Sequence, residues 1–547
     1  MDTFVQGFAQ RTAEARERFV LLRPEARRIQ EELLAKRLAD AADTAFGRDH
    51  GFKEIRTIAD YRQRVPIRTY DEISPYVERA AGGERAVLTR DEPIAYYKTS
   101  GSTGAAKKIP ATAASRATYW DAMAITYGTF IHWYPEIAER PESILTLARD
   151  HRPVEAHTAS GVPWGALSNM WLPGDEGQWQ PPWTNAPWAS GAPVERDAWE
   201  ERVYFLLRHA VAADVRCIIT VNPSTLVALG RFLEEVLPRL IQELRDGTVY
   251  GQPGLPKNPQ RSRELEALVG RGRVRPNDVW PNISLLVAWK SASTQLYLPQ
   301  VEETFGPKAQ IFSHFIAASE AILAVPVERE SVAQTPHFTV VHYEFVPIEE
   351  DLRGDSPSVS MHEVEVGRTY HLVVTTASGL YRYALGDTFK VLDRVDGVPL
   401  IEFLGRKGSV SSFTGEKLTE AQIVAAVDDA AQGCGVRIAD ATCCPVWGDP
   451  PHYAFVVELR DVRGEVDVAR LEAALEAQLG QHNAEYPSKR ATRRLGPARV
   501  HVVPAGTFKR LGQLALATGT SPTQQKSKLL QKDATALATL LDLAREG

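Results

Sequence analysis

The sequence has very little cysteine for its length. Four cysteines occur in 547 residues, which excludes a disulfide-stabilised scaffold. Cys217 and Cys434 stand alone and Cys443 is followed directly by Cys444, so no pair has the spacing of a structural zinc site. We therefore predict free thiols in a reducing compartment, the cytosol.

Long apolar runs are also missing. The longest, such as Ala321–Val327, are far shorter than the roughly 20 residues that a membrane-spanning helix needs. Residues 12–40 carry arginine and glutamate throughout, where a signal peptide would need an apolar core. The sequence therefore predicts a soluble, cytoplasmic protein without a membrane partner.

A strong excess of charge of one sign is absent as well. The 63 basic and 69 acidic residues leave a formal net charge of −6, so no bulk positive charge indicates a nucleic-acid partner. Hydrophobic residues at 44% and charged residues at 24% are typical of a globular chain and exclude disordered, collagen-like and coiled-coil classes. At about 150 residues per domain, the length predicts about three or four domains or subdomains, and an enzyme is the default expectation at this size.

The order of predicted elements indicates two regions of different architecture. Residues 12–46 have helical spacing and predict one or two packing helices. From about residue 90, short β-branched runs such as Val215–Val221 alternate with helical segments such as Thr225–Leu244, which predicts an α/β fold with a largely parallel or mixed sheet. A compact α+β pattern follows after the glycines near 405. We predict an N-terminal domain at 1–404 and a C-terminal domain at 405–547.

The remaining predicted elements place the motifs discussed below. The strands are Ile283–Trp289, Gln310–Phe312, His371–Thr376, Phe389–Leu392, Tyr453–Leu459 and Ala498–Val503, and the helices are Gln295–Phe305, Glu420–Ala431 and Val468–Leu479. One segment is unusual because Pro163–Trp188 holds five of the eleven tryptophans and five prolines. This proline density predicts neither helix nor central strand. The segment is either a surface loop pinned by aromatic side chains or the wall of an apolar pocket.

The strongest local signal is the run from Tyr97 to Pro110, in which hydroxyl residues, glycines and lysines alternate. Glycine lets the backbone approach a phosphate closely and present successive N–H groups, and lysine adds positive charge. The spacing differs from a Walker A loop, in which Gly-Lys-Ser/Thr opens a helix. An ordinary turn and a phosphate-binding loop are the two interpretations of this run.

Three further motifs follow along the chain. Tyr381–Asp387 ends in a Gly-Asp pair that closes a predicted strand, where a carboxylate can accept ribose hydroxyls or form an ordinary turn. Gly405–Gly408 is followed by Gly415-Glu416-Lys417, and Gly519–Lys526 lies near the C-terminus. Residues 487–532 hold ten lysines and arginines and no acidic residue. That run is typical of a solvated face, a nucleic-acid patch or a domain that closes on a triphosphate.

In this order, the four motifs resemble the core motifs of the adenylate-forming superfamily of acyl-CoA ligases, peptide-synthetase adenylation domains and luciferases. The chain more closely resembles the acyl acid amido synthetases of the Gretchen Hagen family, known from auxin-responsive plant genes and found in bacteria. The segments that carry this resemblance cover nearly the whole chain and are Thr99–Pro110, Trp280-Pro281-Asn282, Ala317-Ala318-Ser319-Glu320, Tyr343-Glu344-Phe345, Asn483, Tyr486, Gly496-Pro497, Gly506-Thr507-Phe508 and Gln525-Lys526. The chain departs from plant members after Lys526, where their Pro-Arg is lacking, and at Ser291-Ala292, where a glycine is common. We take it as a bacterial member.

The resemblance implies the fold and the reaction. The fold is that of adenylate-forming enzymes, with a large N-terminal domain of mixed β-sheets and flanking helices and a small mobile α+β C-terminal domain, hinged near Gly405–Ser409. In the reaction, a carboxylic acid attacks the α-phosphate of ATP and gives an acyl-adenylate and pyrophosphate. An amine, typically of an amino acid, then attacks the activated carbonyl and releases AMP. The implied cofactors are ATP and Mg²⁺, and we expect a monomer that uses the basic C-terminal run for ATP rather than nucleic acid.

The resemblance also implies roles for individual residues. The residues expected to bind ATP are Thr99, Ser100, Ser102, Thr103, Ser319, Glu320, Asp387, Arg406, Lys417 and Lys526. Lys526 and Glu320 are the expected catalytic residues, because Lys526 would bridge the attacking carboxylate and the α-phosphate while Glu320 would help to place Mg²⁺. Asp387 would accept the ribose hydroxyls. The acyl-acid pocket, for a flat aromatic or otherwise apolar acid, is expected at Ser160, Gly161, Val162, Trp164, Tyr119, Met123 and Phe315.

Two other functions stay open at this stage. The chain could form acyl-CoA or carrier-protein thioesters instead of amides, because the first half-reaction is the same. It could also be a catalytically silent protein that binds a small acid. The presence of Lys526, Asp387 and Glu320 favours an active enzyme over the silent alternative.

Overall fold

The structure is a computed structural model. It describes residues 3–99, 107–147, 154, 156–167, 181, 183, 186, 188, 199–329, 331–406, 410–411, 416, 418–448, 450–461, 466–483, 486–491, 495–517, 529–531 and 534–545. The chain divides into an N-terminal unit of residues 1–290, 299–385 and 390–402, and a C-terminal unit of residues 291–298, 386–389 and 403–547. The domain boundary at 404/405 stays a prediction. Two short segments earlier in the chain, residues 291–298 and 386–389, belong to the C-terminal unit.

The helices of the N-terminal unit carry their own start signals. Thr57 and Thr112 each accept the backbone N–H three residues further on, from Asp60 and Ser115, at 3.1 Å in both cases. The side chains of Asp60 and Ser115 bond back, so each helix begins with a capping box. The helices are α1 Thr3–Leu21, α2 Ala26–Ala41, α3 Ala45–Asp49, α4 Ile58–Arg64, α5 Tyr70–Ala81, α6 Ala113–Trp133, α7 Trp199–Ala210, α8 Pro223–Asp246, α9 Pro259–Val269, α10 Pro276–Val279 and α11 Leu298–Phe305.

The first and the sixth helix pack at very close range. A Cβ atom placed on Gly128 in α6 would lie 2.0 Å from the carbonyl oxygen of Thr12 in α1. Thr12 itself is fully buried. Glycine at this position therefore allows the two helix backbones to touch, and a larger residue would force them apart.

We expect Gly128→Ala to lower the free energy of unfolding by about 2–3 kcal/mol, because the added methyl group overlaps a backbone atom that cannot rotate away. Urea denaturation followed by tryptophan fluorescence measures the change. Gly7→Ala is the matched control, since a Cβ atom placed on Gly7 in α1 would have no other atom within 4 Å. That control should gain about 0.5–1 kcal/mol from helix propensity. Equal stability of Gly128→Ala and the wild type would contradict the close contact.

A parallel sheet forms one core of the N-terminal unit. The strands up to residue 406 are β1 Ala95–Thr99, β2 Lys107–Ala111, β3 Ile144–Thr146, β4 Ala156–His157, β5 Pro163–Ala166, β6 Cys217–Ile219, β7 Thr248–Val249, β8 Gln252–Pro253, β9 Leu285–Ala288, β10 Gln310–Ser313, β11 Ile316–Ala317, β12 Ile322–Val325, β13 Thr335–Pro336, β14 His342–Pro347, β15 Val359–Ser360, β16 Thr369–Thr375, β17 Tyr383–Val395 and β18 Val398–Arg406. Residues 386–389 of β17 and 403–406 of β18 belong to the C-terminal unit, and the other strand residues belong to the N-terminal unit. Strands β3, β6, β9 and β10 pair in parallel in the order β10-β9-β6-β3. Because β6 and β9 are buried along their whole length, they have the continuous apolar character of parallel strands. The predicted α/β architecture is confirmed.

A second sheet corrects the prediction for the tryptophan- and proline-rich segment. Strand β5 begins at Pro163 and lies between β1 and β4 in the order β2-β1-β5-β4. Trp164 pairs with Tyr96 of β1 on one side and with Ala156 of β4 on the other. The expectation that proline excludes a central strand was therefore wrong here, because a proline at the first residue of a strand costs no interior hydrogen bond. Trp183 and Trp188 are buried in apolar clusters, which agrees with pinning by aromatic side chains.

Two further sheets hold the central motifs. Strands β11, β12 and β13 form one antiparallel sheet, and the other has the order β15-β14-β16-β17-β18. Strand β17 is much longer than the predicted strand Phe389–Leu392, so the Gly386-Asp387 pair lies inside the strand instead of closing it. The turn between β17 and β18 is Asp396-Gly397, and both residues have positive φ, +51° and +84°. Asp-Gly is a sequence signal of a two-residue hairpin turn. Because the turn comes only at Asp396, strand β17 can continue beyond the predicted end at Leu392.

The C-terminal unit packs helices on a three-stranded sheet. Its elements are β19 Val410–Ser411, β20 Leu418–Thr419, α12 Glu420–Cys434, β21 Arg437–Val446, β22 His452–Arg460, α13 Val468–His482, α14 Tyr486–Ala491, β23 Arg499–Val503, α15 Thr507–Ala517 and α16 Thr535–Arg545. Strand β22 pairs antiparallel with β21 and parallel with β23. The sequence prediction missed β21 and recovered the other central elements. The predicted helix Gln295–Phe305 begins instead with a 3₁₀ turn, Ala292–Tyr297.

Three further observations concern the cysteines, the helix lengths and the arrangement of possible metal ligands. The cysteines are free thiols, and Cys217, Cys443 and Cys444 are buried. In the described part of the chain, no helix is long and apolar enough to cross a membrane. Among the same residues, histidine, cysteine, aspartate and glutamate side chains form no cluster of three or more that could hold a metal ion.

Candidate functional site

The predicted catalytic carboxylate lies at the tip of a short β-hairpin. Strands β11 and β12 run antiparallel, and the N–H of Ala318 donates to the carbonyl of Ala321 at 2.9 Å across the turn between them. This turn contains Ser319 and Glu320. Glu320 is only 8% exposed, and its Oε1 atom accepts a hydrogen bond from the Tyr383 hydroxyl at 3.1 Å. The carboxylate therefore has a fixed direction, because a charged acceptor holds its donor strongly in a buried setting.

A tyrosine from α6 holds the backbone of the same turn. The Tyr119 hydroxyl lies 3.3 Å from the carbonyl oxygen of Ala318 and 3.2 Å from that of Ser319, and it donates to this pair. Burial raises the pKa of Tyr119 well above its ordinary value, so the hydroxyl keeps its proton. Its ring meets the ring of Tyr97 edge-on at 6.0 Å. Tyr119 therefore contacts the turn that contains Ser319 and Glu320. Its predicted place in the acyl pocket stays a prediction.

Gln334 fixes the segment that leads into the hairpin. Its side-chain amide donates to the Ser313 hydroxyl at 3.0 Å and to the His314 carbonyl at 2.6 Å, and its Oε1 accepts the Ile316 N–H at 3.1 Å. Gln334 is 1% exposed. This residue was not predicted, because a single glutamine between small and polar residues gives no pattern in the sequence.

A buried ion pair joins two motifs that lie 38 residues apart in the sequence. Arg382 is 1% exposed and has a left-handed φ of +46°. Its Nε donates to Glu344 Oε2 at 3.0 Å, and its Nη1 donates to the carbonyls of Arg62 at 2.9 Å and Val65 at 2.7 Å. Although burial opposes ionisation, the charge of Arg382 keeps the pKa of Glu344 below its ordinary value. The signal for this pair was present, since each residue is an isolated charge within an apolar run.

The predicted phosphate loop connects two antiparallel strands. Thr99, the last residue of β1, is paired with Lys107, the first residue of β2. A Walker A loop leads from a strand into a helix, whereas this loop leads from one strand into another. The structure thus agrees with the sequence, in which the glycines and lysines do not have Walker A spacing. Ser100, Ser102 and Thr103 fall outside the described residues, as does the side chain of Thr99. Their phosphate contacts stay predictions.

The two lysines after this loop already have neighbours. Lys108 Nζ forms an ion pair with Glu78 at 2.8 Å and lies 5.8 Å from the centre of the Trp164 ring. Lys107 Nζ lies 5.3 Å from the centre of the Tyr70 ring. Both ammonium groups therefore help to attach strand β2 to its surroundings, which is a role the sequence analysis did not foresee.

The residues predicted for the acyl pocket fall in several places. Ser160, Gly161 and Val162 belong to the turn between β4 and β5, and the Ser160 hydroxyl donates to the Ala81 carbonyl at 2.9 Å. Trp164 follows in β5 and is half-buried. The turn and Trp164 thus share one hairpin beside β1.

The other two pocket candidates lie on different elements. Met123 of α6 packs against the apolar cluster that contains Phe130 and Phe312. Phe315 is 3% exposed, and its ring centre lies 4.0 Å from that of His314. Burial lowers the pKa of His314 to about 4, so this imidazole is uncharged at neutral pH. The acyl pocket as a whole stays a prediction.

The remaining predicted ATP residues belong to the C-terminal unit. Asp387 is 4% exposed and lies within β17, after Gly386 with its positive φ of +78°. The neighbouring Thr388 hydroxyl donates to the Gly405 carbonyl at 3.2 Å. Arg406 is the last residue of β18. The Arg406 side chain, Lys417 and Lys526 lie outside the described residues, so their contacts with ATP stay predictions.

Described residues anchor the chain on both sides of the segment that contains Lys526. Glu458 accepts the N–H groups of Gly506 at 2.8 Å and Phe508 at 3.0 Å, which caps helix α15. After the segment, Leu529 and Leu530 are buried, and Leu530 forms a parallel bridge with Cys443 of β21. The Gly506-Thr507-Phe508 motif therefore has a structural explanation.

A second network surrounds Glu416, which precedes Lys417. Glu416 is 1% exposed, and its Oε1 accepts the Tyr453 hydroxyl at 2.7 Å. The Asn483 amide donates to the Glu416 carbonyl at 2.8 Å, and the Asn483 Oδ1 accepts the Tyr486 N–H at 2.9 Å. Asn483 and Tyr486, which carried the resemblance, thus bond to each other, and Asn483 also bonds to Glu416 of the third motif.

The fold has clear relatives among solved structures. A structure described as AtGH3.15 acyl acid amido synthetase in complex with 2,4-DB matches with a TM-score of 0.82 at 21% identity, over 98% of this chain and 96% of that one. A 2-hydroxyisobutyryl-CoA ligase in its postadenylation state with 2-HIB-AMP matches with a TM-score of 0.52 at 11% identity, over 99% of this chain and 92% of that one. The fold class is therefore that of the adenylate-forming ligases, as predicted.

Sequence comparison then defines the family. Residues 15–310 match the GH3 family N-terminal domain, residues 334–406 the GH3 family central domain, and residues 421–535 the GH3 family C-terminal domain. The probable indole-3-acetic acid-amido synthetase GH3.4 of Oryza sativa subsp. japonica is 26% identical over 92% of this chain and 85% of its own length. The indole-3-acetic acid-amido synthetase GH3.3 of Arabidopsis thaliana is 23% identical over 91% and 88%.

The chain belongs to the GH3 family. It is an acyl acid amido synthetase, an ATP-dependent ligase that forms amides from acyl acids and amino acids through an acyl-adenylate. The predicted resemblance, fold and reaction are confirmed, with the amide-forming reaction favoured over the two alternatives. Its assignment to a bacterium stays a prediction.

Proposed function

We propose that this amido synthetase activates a flat, aromatic or otherwise apolar acid and joins it to an amino acid, acting as a cytoplasmic monomer. The observation that carries the activation step is the buried Glu320 carboxylate, held at a hairpin tip by the Tyr383 hydroxyl. The buried ring of Tyr97 meets that of Tyr119 edge-on at 6.0 Å, beside the turn that carries Glu320, and this aromatic pair supports an apolar acid. Relatives named for indole-3-acetic acid and a structure with 2,4-DB support the same class of acid. The four free thiols fit a reducing compartment.

Glu320 fits a role in holding Mg²⁺ together with ATP. One of its oxygens accepts the Tyr383 hydroxyl, and no described residue donates to the other. Magnesium usually binds one or two carboxylates plus substrate phosphates and water, so a single glutamate is sufficient. When bound, the ion would neutralise phosphate charge as pyrophosphate leaves.

The other predicted residues would position ATP for the first half-reaction. Ser100, Ser102 and Thr103 would donate hydrogen bonds to the phosphates, assisted by the Thr99 and Ser319 hydroxyls. Asp387 would accept the ribose hydroxyls, and Arg406 and Lys417 would contact ribose or phosphate. Lys526 would draw the acid's carboxylate and the α-phosphate together, which lowers the barrier by orientation and charge neutralisation.

Pyrophosphate exchange across a panel of acids tests the proposed acyl specificity. We expect exchange to be at least tenfold faster with an aryl acid such as indole-3-acetic acid than with a linear aliphatic acid of similar carbon number, because the flat ring buries against aromatic side chains. Equal rates for the two acids would contradict the aromatic pocket.

AMP release tests the second half-reaction with the same preparation. Release that depends on amino acids and not on coenzyme A is the expected result. Release with coenzyme A and not with amines would indicate a thioester-forming ligase. Absence of exchange with every acid would indicate a silent binding protein.

A further inference from the structure

We propose that Tyr383 is the positioning residue for the Glu320 carboxylate and thereby sets the affinity of the site for the metal–ATP complex. The inference rests on the proposed role of Glu320. In the sequence, Tyr383 stands out only as part of the Tyr381–Asp387 motif.

The contact between the two side chains is buried on both sides. Tyr383 is 1% exposed and Glu320 is 8% exposed, and the hydroxyl lies 3.1 Å from Oε1. Water competes little at such a site, so the hydrogen bond determines the rotation of the carboxylate. With Oε1 occupied, Oε2 is the oxygen left to face a ligand.

The Tyr383 side chain can act as a support because its own backbone is fixed. The Arg68 N–H donates to the Arg382 carbonyl at 3.0 Å, and the Ala384 N–H donates to the Arg68 carbonyl at 2.8 Å. These bonds enclose Tyr383 on both sides. The preceding Arg382 is held in its left-handed conformation by the buried ion pair with Glu344. Backbone strain that the surroundings maintain is typical of functional sites.

Separate hydroxyl groups hold the backbone and the side chain of the hairpin tip. Tyr119 contacts the carbonyls of Ala318 and Ser319, whereas Tyr383 contacts the carboxylate of Glu320. Removing the Tyr383 hydroxyl should therefore free the carboxylate while the turn keeps its shape. The expected consequence is weaker metal binding, because the carboxylate must then lose rotational freedom when the ion binds.

The experiment compares Tyr383→Phe with the wild type in two assays. The first is the dependence of pyrophosphate exchange on Mg²⁺ concentration at saturating ATP and acid. The second is binding of Mn²⁺ in the presence of α,β-methylene-ATP, followed by electron paramagnetic resonance, which needs no turnover. We expect the half-saturating metal concentration to rise about tenfold in both assays, in line with the loss of one hydrogen bond to a charged group. The rate at saturating metal should change much less.

Tyr343→Phe is the matched control, since it removes the same atom from another buried tyrosine of the N-terminal unit. The Tyr343 hydroxyl bonds to backbone groups, the carbonyl of Leu323 at 2.6 Å and the N–H of His337 at 3.0 Å. It should leave Mn²⁺ binding within about twofold of the wild type even where it lowers thermal stability. An equal loss of Mn²⁺ binding in both variants would overturn the inference, because general loosening would then explain it.

Glu320→Gln separates this inference from the proposed function. If Glu320→Gln binds Mn²⁺ and exchanges pyrophosphate like the wild type, the proposed role of Glu320 is wrong. If Glu320→Gln is impaired and Tyr383→Phe is not, only the inference about Tyr383 is wrong. The double variant should be no weaker than Glu320→Gln, and a further tenfold loss would show that Tyr383 acts elsewhere. Should Tyr383→Phe fail to fold, Tyr383→Met replaces it, because this variant also lacks the hydroxyl and keeps Glu320 unchanged, and it should show the same loss of Mn²⁺ binding.

Discussion

Replacing Lys526 with alanine is expected to reduce acid-dependent pyrophosphate exchange by at least 100- to 1,000-fold, while a supplied acyl-adenylate still reacts with amine at nearly the normal rate. In the first half-reaction two anions must approach each other, the acid's carboxylate and the α-phosphate. Removing one preorganised charged donor from such a step costs about 2.7–4 kcal/mol of transition-state stabilisation. In the second half-reaction the acid is already activated, so the need for this lysine falls.

The two half-reactions can be measured on one preparation, by exchange of labelled pyrophosphate and by amide formation from synthetic acyl-adenylate. Lys528→Ala is the matched control, because it removes the same charge from the same basic run. It should retain exchange within about threefold. An equal loss of both half-reactions in Lys526→Ala, or an equal loss of exchange in both variants, would contradict the assigned role.

The structure gives a reason to expect that Lys526→Ala folds normally. The chain before the lysine is anchored by the Glu458 cap on α15, and the chain after it by the buried Leu529 and Leu530. None of these contacts uses the Lys526 side chain. A melting temperature of Lys526→Ala equal to that of the wild type would assign a change in activity to the missing ammonium group.

Strong local patterns made the broad fold predictable. The β-branched runs that became β6 and β9 are continuous and apolar, and Asn222 and Pro223 mark the start of the long helix α8. The strand β21 was missed because Arg437, Asp440 and Pro445 interrupt its apolar pattern. The pairing with β22 that stabilises β21 is a tertiary effect, and local sequence does not reveal it.

The candidate site was predictable only in part, for a related reason. The motifs identified Glu320 and Asp387 one at a time, because each lies beside glycine or small residues in a short signature. The contacts that hold Glu320 come from Tyr383, 63 residues away in the chain, and those around Arg382 come from Glu344 and from residues 62–65. Interactions over such separations are properties of the folded chain and leave no spacing rule in the sequence.

Replacing Arg382 with methionine is expected to lower the free energy of unfolding of the N-terminal unit by about 3–5 kcal/mol at pH 7. The reason is that Glu344, 1% exposed, would lose its main partner, so that folding at pH 7 would have to bury either an unpaired charge or a carboxyl that has taken up a proton. Methionine retains much of the side-chain volume, so the decrease in the free energy of unfolding comes more from lost charge pairing and hydrogen bonds than from lost packing. Urea denaturation followed by fluorescence measures the midpoint. Arg62→Met is the control, because Arg62 also pairs with Glu344 at 3.0 Å but is 27% exposed, and its loss should be smaller.

The pH dependence of this loss separates the ion pair from simple packing. In the wild type the pKa of Glu344 is lowered, because the charge of Arg382 outweighs the burial that opposes ionisation. The ionised carboxylate therefore stabilises the fold at pH values above the ordinary carboxyl pKa, and this stabilisation is lost as the pH falls. In Arg382→Met the effect of burial is no longer offset by Arg382, so the pKa of Glu344 should be raised. The folded variant should then be more stable with this carboxyl protonated. The deficit relative to the wild type should therefore shrink as pH is lowered from 7 toward 4.5. A deficit of constant size across this range would mean that lost packing, and not an unpaired charge, destabilises the variant.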